Sequence, residues 1–522
     1  MNEIENNYQT LLKRDSIADL ETEAGLRHLG LLIDTANALR REAGLKKAVS
    51  LGAEIEARSL SADEVCRLNY FLANAWSGLR GIKTRPSSGF PTWEDPEAEQ
   101  EILHYRTSLS YPELDDSRVL CPALTNLANV MSWLGRPVEA IAYWDRALAR
   151  DQSFGMARGN RGYGIFLYGQ YAQSETHRHV LWRQAYRDIC QGLDGNVEEH
   201  ARGVFERAQQ SLEKVLSPQC RNQPAATGSW GEECSAQERK YRMWALENCL
   251  FLTPTNEVSR GPDSANDDLM LPDMVVGIDD DMRLLGMMNQ LKQEYASARY
   301  IFYTGLTSCG PHFSDRLVRL VNTLDYPSYS LAAEQEKAGF RIAYSVLDKI
   351  AFFLNEYLDL GIRHSGVSFR SLWYQASQRK KGLRPAITCR RNLPLHGLFW
   401  LSKDLFEDAP GFRDVIAPEA RGVSQLRNHL EHRYLKLHER EWIGAENATR
   451  FGPSWNHDAL AYSVYRHEFE AKALWLLKTV RAALIYLTGA VFVEEALKER
   501  ERTEQDIVPP IPLDYWEDDW KR

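Results

Sequence analysis

An internal repeat in the first half of the chain constrains the fold most strongly. Four pairs of similar residues are separated by 34 positions: Asn126/Asn160, Ala128/Gly162, Leu134/Tyr168 and Gly135/Gly169. A repeat period of about 20–50 residues is typical of stacked supersecondary units. A single unit cannot bury a core, so its copies stack into a solenoid with a concave face. The sequence therefore predicts successive helices from about residue 20 to 215.

The spacing of small and aromatic residues after Gly135 resembles that of a TPR unit. Glu139, Ala140, Trp144 and the pair 147–148 occupy the relevant positions. The resemblance implies a TPR-like repeat domain over residues 1–216, which would bind an unknown protein or ligand trigger. The alternative is generic helical packing without a true repeat fold.

The remainder of the chain divides by composition. Residues 217–330 are rich in Pro, Gly, Ser, Asn and Asp and are predicted to form a connector of loops and helices. Apolar periodicity predicts a helical bundle over 331–500, and an acidic, proline-rich tail covers 501–522. Expected helices are 237–248, 282–303, 340–357, 369–378, 395–406, 418–440 and 460–498, the last one broken at Gly489. The predicted fold class is all-α.

Composition indicates a soluble chain with no general affinity for nucleic acid. The 522 residues are 44% hydrophobic and 26% charged, and the net charge of −9 excludes a wholly basic nucleic-acid binder. Any RNA contact must therefore come from a local patch. Eight cysteines without a C-x-x-C pair favour a cytoplasmic location. The most apolar stretch, 482–493, is too short to span a bilayer, so no membrane partner is expected.

One stretch carries residues suited to chemistry on a phosphate. Residues 418–440 are predicted to form one helix containing Arg427, Asn428 and His432. Histidine titrates near neutrality and can act as acid or base, while arginine stabilises charge on phosphate. At 100° per residue, Arg427 lies about 140° around the helix from His432. One helix therefore cannot easily direct both side chains to one atom, but a second copy would supply the missing group.

This arrangement, an arginine and a polar residue followed by a spaced histidine late in a helical domain, resembles the signature of HEPN ribonucleases. After TPR-like repeats it resembles one bacterial HEPN subgroup. The resemblance implies a helical bundle that forms a homodimer and cleaves RNA without metal at a composite site. Arg427, Asn428 and His432 would be catalytic, and the product would carry a 2′,3′-cyclic phosphate. It also implies a toxin or antiviral defence effector restrained by its repeat domain. The alternatives are a non-catalytic HEPN-like module that binds nucleotide or RNA, and a pure interaction scaffold.

Two other segments share the arginine–histidine spacing. Arg391 and Asn392 precede His396, but Pro394 interrupts that segment and indicates a loop or helix entry. Arg433 precedes His438 but is followed by Tyr434, which is not equivalent to Asn428. Helix context therefore selects the motif at 427–432.

A basic stretch precedes the motif and is the predicted RNA-binding surface. Its six basic residues are Arg379, Lys380, Lys381, Arg384, Arg390 and Arg391. Trp373 and Tyr374 are expected to stack on bases. The alternative is a solvated loop. Candidate supporting residues are Asp348, Glu356 and Tyr434.

No metal and no cofactor are expected. Asp279, Asp280 and Asp281 are more typical of a solvated helix N-terminus than of a metal site. The spacing of His429, His432 and His438 matches no zinc motif.

Overall fold

A computed structural model describes residues 2–83, 89–111, 117–223, 230, 234–275, 282–323, 325–406, 422–439, 460–502 and 511–521. Its first half is a succession of helices. These are α1 (Asn2–Leu12), α2 (Thr22–Ala38), α3 (Glu42–Glu56), α4 (Ala62–Lys83), α5 (Pro96–Ser108), α6 (Ser117–Trp133), α7 (Pro137–Arg150), α8 (Gly155–Gly169), α9 (Glu175–Asp194) and α10 (Glu199–Val215). Each of α2 to α9 packs against the next helix in the chain. The succession of helices matches the prediction, whereas the assignment to TPR repeats stays a prediction.

The second half is also helical and contains one small sheet. Its helices are α11 (Pro218–Asn222), α12 (Ala236–Glu247), α13 (Arg283–Thr307), α14 (Leu331–Tyr357), α15 (Pro385–Thr388), α16 (Leu393–Phe406), α17 (Val423–His432) and α18 (Arg466–Glu501). Strands β1 (Leu435–His438) and β2 (Tyr462–Tyr465) pair in parallel, with Leu435 opposite Tyr462 and His438 opposite Tyr465. The predicted all-α class is confirmed.

The predicted helix over 418–440 is wrong beyond His432. Arg433 leaves the helical region at φ −139° and ψ −139°, and the chain continues as β1. Leu435 and Leu437 alternate with Lys436 and His438, a period of two that suits a strand. Residues 418–421 and 440 lie outside the described residues.

Two other helix predictions are also wrong. Residues 369–378 form turns and a short 3₁₀ segment, because the Ser368 hydroxyl and backbone form the turn with Ser371. Helix α18 begins at Arg466 and continues through Gly489 without a break. A side chain at Gly489 would lie 3.2 Å from Pro394, so the glycine lets α16 approach α18 closely.

The repeat half and the bundle share one hydrophobic core. A continuous cluster of buried residues extends from Ala73 in α4 to Val491 in α18. At the α6–α7 turn, a Cβ on Gly135 would lie 2.1 Å from the Leu393 carbonyl oxygen. Gly397 makes the reciprocal close approach to Gly135. The predicted boundary near residue 216 stays a prediction, but packing joins the two sides closely.

Buried polar contacts reinforce the same junction. Asp404 near the end of α16 accepts two hydrogen bonds of 2.8 Å from Arg106 and one of 2.5 Å from Arg136. The imidazole of His396 lies 2.9 Å from the carbonyl oxygens of both Leu134 and Thr92. Helix α16, which precedes the motif region, is therefore fixed to the repeat half.

Helix α18 is the central helix of the bundle. By length and composition it could cross a membrane, but 83% of its most apolar window is buried inside the protein. It packs on α14 and α16. Its hydrophobicity is that of a core helix.

Candidate functional site

Helix α17 lies against α14 and presents the arginine–histidine motif. Gly422 precedes it at φ +84°, a left-handed conformation that favours glycine. Val423 and Leu426 are buried and anchor the helix. Arg427 is half-buried, whereas Asn428 and His432 are exposed.

Arg427 is held from two sides. Its guanidinium carbon lies 5.6 Å from the centre of the Tyr344 ring on α14, in cation–π contact. Its Nη1 donates a 3.3 Å hydrogen bond to Oδ1 of Asn428. The arginine thus has a defined position and keeps donors available for an anion.

Tyr344 contacts Arg427 through a neutral ring. Burial raises the pKa of Tyr344 to about 12, and the Asp348 carboxylate adds to the rise. Arg427, a hydrogen bond with Ser424 and the charge of Arg370 oppose it. The phenol therefore stays protonated at neutral pH. Tyr344 and Arg370 were not predicted, because their proximity to Arg427 depends on tertiary packing.

His432 lies apart from Arg427. It is the last residue of α17, and the helix turns away at Arg433. In the described part of the chain, Arg427 contacts Tyr344 and Asn428, and His432 is exposed on another side of α17. Arg427 contacts Asn428, and Asn428 shares the solvent-facing side of α17 with His432 four residues later. Arg427 itself lies about 140° around the helix from His432.

His429 is a second histidine with a defined orientation. Its Nδ1 lies 2.8 Å from the carbonyl oxygen of Gln425, and its ring stacks on Tyr462 at 4.8 Å. A carbonyl oxygen only accepts, so Nδ1 carries the proton and Nε2 of the neutral ring remains an acceptor. The sequence interpretation weighed His429 only as a metal ligand. Its three-residue spacing from His432 was the available signal.

The predicted RNA-binding residues divide into two groups. Arg379, Lys380, Lys381 and Arg391 are exposed. Arg384 is half-buried and donates its Nε to the Leu372 carbonyl oxygen at 2.8 Å. Arg390 pairs with Glu494 on α18. Arg384 and Arg390 therefore hold the loop in place, and the other four form an exposed basic surface.

One of the predicted stacking aromatics is unavailable. Trp373 is completely buried and donates Nε1 to the Phe369 carbonyl oxygen at 2.8 Å, so the prediction that it stacks on bases is wrong. Tyr374 is half-buried. Burial raises its pKa, and Arg379 and Arg370 oppose that rise. The charge of Arg370 also opposes the rise at Tyr344, so Arg370 lies near both tyrosines.

The second Arg–Asn–His segment is structural. Asn392 is fully buried, accepts from the Leu395 backbone N–H at 3.0 Å and donates to the Ala490 carbonyl oxygen at 2.8 Å. His396 is also fully buried, and burial lowers its pKa. The segment is the predicted helix entry, and its histidine cannot reach RNA.

The predicted supporting residues lie in three places. Asp348 lies near Tyr344 and accepts from the Phe369 backbone N–H at 3.0 Å. Glu356 accepts from Asn355 at 3.1 Å, away from the motif contacts. Tyr434 follows α17, with its hydroxyl 3.4 Å from that of Tyr329. Only Asp348 is connected to the Arg427 contact, through Tyr344.

A large cavity lies where the repeat half meets the bundle. Its volume is about 1710 Å³, and its walls come from α8, α13 and α18. Residues from the 511–515 segment of the C-terminal tail line one side. Tyr168 lines it, and its buried hydroxyl has no hydrogen-bond partner among the described residues. This cavity is a candidate site for the predicted trigger, besides the concave face of the repeats.

Within the described residues, no group of three or more His, Cys, Asp or Glu side chains is arranged to hold a metal ion. Asp279, Asp280 and Asp281 lie outside those residues.

Comparison with known proteins supports the HEPN interpretation of the C-terminal region. Residues 275–494 match the family model described as LA2681-like HEPN. The match includes the motif, the basic stretch and Tyr344, and it begins within the predicted connector. No curated protein and no solved structure gave a significant match. The region from α13 to α18 is thus similar to LA2681-like HEPN domains.

Proposed function

We propose that this protein is an endoribonuclease that needs no metal and whose active site combines residues of two copies of the chain. The observation that carries the proposal is the separation of Arg427 from His432 around helix α17. Arg427 is held beside Asn428 and Tyr344, while His432 is exposed on another side of the same helix. The region that contains this helix is similar to HEPN domains.

The residues supply the groups that RNA cleavage requires. A neutral histidine removes the proton of the 2′-hydroxyl, whose oxygen attacks the adjacent phosphorus. The bond to the 5′-oxygen breaks, and that oxygen receives a proton from a protonated histidine. Arg427 stabilises the charge that develops on the phosphate. The products are a 2′,3′-cyclic phosphate and a 5′-hydroxyl.

Two copies related by two-fold symmetry would complete the site. Each copy would contribute one Arg427 and one His432 to a shared cleft. The exposed basic residues beside Arg370 would hold the RNA backbone near that cleft. A defence role, with the repeat half restraining cleavage until a trigger binds, is part of the proposal.

Cleavage of mixed RNA in EDTA, followed by mapping of the ends, tests the chemistry. His432→Ala should lower the rate by roughly 10²–10⁴, the usual contribution of a positioned acid or base. Arg427→Ala should cause a comparable loss. Arg433→Ala, an exposed arginine just beyond the helix, is the matched control and should leave the rate nearly unchanged. Activity that EDTA abolishes and a divalent ion restores would contradict the mechanism, as would efficient cutting of a 2′-deoxy substrate.

His429 provides an internal alternative for the acid–base role. Its Nδ1 is already engaged by Gln425, which leaves Nε2 for chemistry. If His429→Ala abolishes cleavage while His432→Ala does not, the assignment of His432 is wrong although the reaction class survives.

Mixing two inactive variants tests whether the site is shared. Arg427→Ala and His432→Ala chains, mixed so that they exchange partners, should recover part of the activity. Each mixed pair retains one arginine and one histidine from different chains. No recovery, despite demonstrated exchange, would contradict a composite site.

A binding module without catalysis is the second candidate, favoured by the exposed basic residues Arg379, Lys380, Lys381 and Arg391. That function tolerates His432→Ala but not removal of positive charge. The triple variant Arg379→Ala/Lys380→Ala/Lys381→Ala should weaken RNA binding and reduce its salt dependence. Undiminished binding by His432→Ala, with no cleavage by the wild type, would establish this function instead.

A further inference from the structure

An exposed apolar arm connects α13 to α14. The arm comprises residues 311–323, has no regular secondary structure and is exposed along nearly all its length. Its large apolar side chains are 57–91% exposed: Phe313, Leu317, Val318, Leu320 and Val321. Single exposed apolar residues are ordinary, but a contiguous group marks an interaction surface.

The arm is fixed to the bundle on both sides. At its beginning, the Asp315 carboxylate accepts the Leu331 backbone N–H at 3.1 Å, at the start of α14. Just beyond its end, Asp325 pairs with Lys436 on β1 at 2.5 Å, and the Ser328 backbone N–H donates to the Leu437 carbonyl oxygen at 2.7 Å. These contacts hold the apolar side chains outward in a defined region.

The arm continues into the surface that carries the motif. The hydroxyls of Tyr329 and Tyr434 lie 3.4 Å apart, and both residues are more than 40% exposed. Tyr434 follows His432 by two residues. The apolar surface of the arm and the exposed end of α17 therefore belong to one side of the bundle.

We infer that the arm is a dimerisation element that packs on the same side of a second copy of this chain. The inference rests on the proposed function, because a site divided around α17 is incomplete in one copy. Burying a Val, Leu or Phe side chain removes on the order of 100 Å² from water. The five apolar side chains thus supply on the order of 500 Å² per copy, and two copies reach about 1,000 Å², the lower bound for a specific interface.

Charge on the arm also suits a second copy. Arg316 and Arg319 are exposed on it, and Asp315 is engaged at the start of α14. Glu431, next to His432 at the exposed end of α17, is an acidic side chain that such an arginine would meet in a second copy. In a two-fold arrangement, each arm would meet the equivalent surface of its partner.

Sedimentation velocity of the full chain across about 1–100 µM tests the inference. The wild type should sediment as a dimer, and Leu317→Glu/Val321→Glu should sediment as a monomer. Leu31→Glu, at an exposed leucine of α2, is the matched control and should remain dimeric. Phe313→Ser is a second, milder variant that should weaken the dimer. Unchanged circular dichroism and melting temperature would show that the arm variants fold.

The outcomes separate the arm from the proposed function. If the arm variants stay dimeric and still cut RNA, the arm inference is wrong while the composite site stands. A wild type that is monomeric at every concentration also overturns the inference. Whether the protein cuts RNA is then tested separately by comparing the wild type with His432→Ala. If the arm variants lose both the dimer and RNA cleavage but still bind RNA, the result supports the arm inference and the composite site together.

Discussion

Asp404 joins the two halves of this protein, so its substitution should destabilise the whole chain. The carboxylate is 5% exposed and lies between two buried arginines, Arg106 and Arg136, both from the repeat half. Removing one partner of a buried ion pair costs about 3–5 kcal/mol, because it leaves charge without compensation. Asp404→Asn leaves two buried guanidinium groups without a countercharge, so we expect a loss of stability in the upper part of that roughly 3–5 kcal/mol range.

The pH dependence should have a definite sign. Burial raises the pKa of Asp404, but Arg106 and Arg136 outweigh burial and hold the pKa well below its ordinary value. A carboxyl with a depressed folded-state pKa stabilises the protein above its unfolded pKa of about 3.9. That stabilisation is lost as the pH falls toward the folded-state value. The wild type should therefore lose stability below about pH 4 more steeply than Asp404→Asn.

Thermal and urea unfolding, followed by circular dichroism, measure the effect. Asp19→Asn is the matched control, because Arg14 also pairs with Asp19 at 2.5 Å but at the surface. We expect no measurable change from it, since exposed ion pairs contribute little. The double variant Arg106→Ala/Asp404→Ala should cost less than the two single variants combined. A melting temperature for Asp404→Asn equal to that of the wild type would refute the reasoning, as would independent melting of the two halves.

Two further predictions concern single contacts. Tyr344→Phe keeps the ring face under Arg427 and should retain most activity, whereas Tyr344→Leu removes the cation–π contact, worth about 0.5–2 kcal/mol, and should lower kcat/KM about 2–30-fold. Gly135→Ala places a Cβ 2.1 Å from the Leu393 carbonyl oxygen at φ +83° and should destabilise the fold by more than about 2 kcal/mol in urea unfolding. Gly81→Ala, in open space on α4, is its control and should be neutral or stabilising by up to about 1 kcal/mol. Equal effects at the two glycines would contradict the close-packed junction.

The shared core changes one expectation from the sequence. If the repeat half only restrains cleavage, as the sequence predicts, a chain without residues 1–215 would fold and still cut RNA. The structure places His396 against the Leu134 and Thr92 carbonyl oxygens, and Asp404 against two arginines of the repeat half. Removing residues 1–215 would expose these groups and much of the core. We therefore expect that truncated chain to be unstable, so regulation is better tested with point variants.

Periodicity predicted most helices because they have an apolar side facing the core, as α14 shows. The prediction was wrong for residues 369–378, where a short segment has helical spacing of apolar residues but forms no helix. Phe369, Leu372 and Trp373 have helical spacing and are all buried, yet the chain there forms turns. The contact between Tyr344 and Arg427 was not predictable, since the two residues are 83 positions apart and meet only through packing of α17 on α14.

The burial of α17 determines which side a partner must approach. Val423 and Leu426 are buried and Leu430 is half-buried, so they define the inner side of the helix. At 100° per residue, Arg427 lies about 70° from the middle of that side, which explains its contact with Tyr344. Asn428 and His432 lie about 150–170° from it and face solvent. A phosphate held by Arg427 is therefore at the edge of α17, out of line with the histidine of the same chain. Under the proposed mechanism, a second α17 whose solvent-facing side meets this edge would bring its His432 to that phosphate.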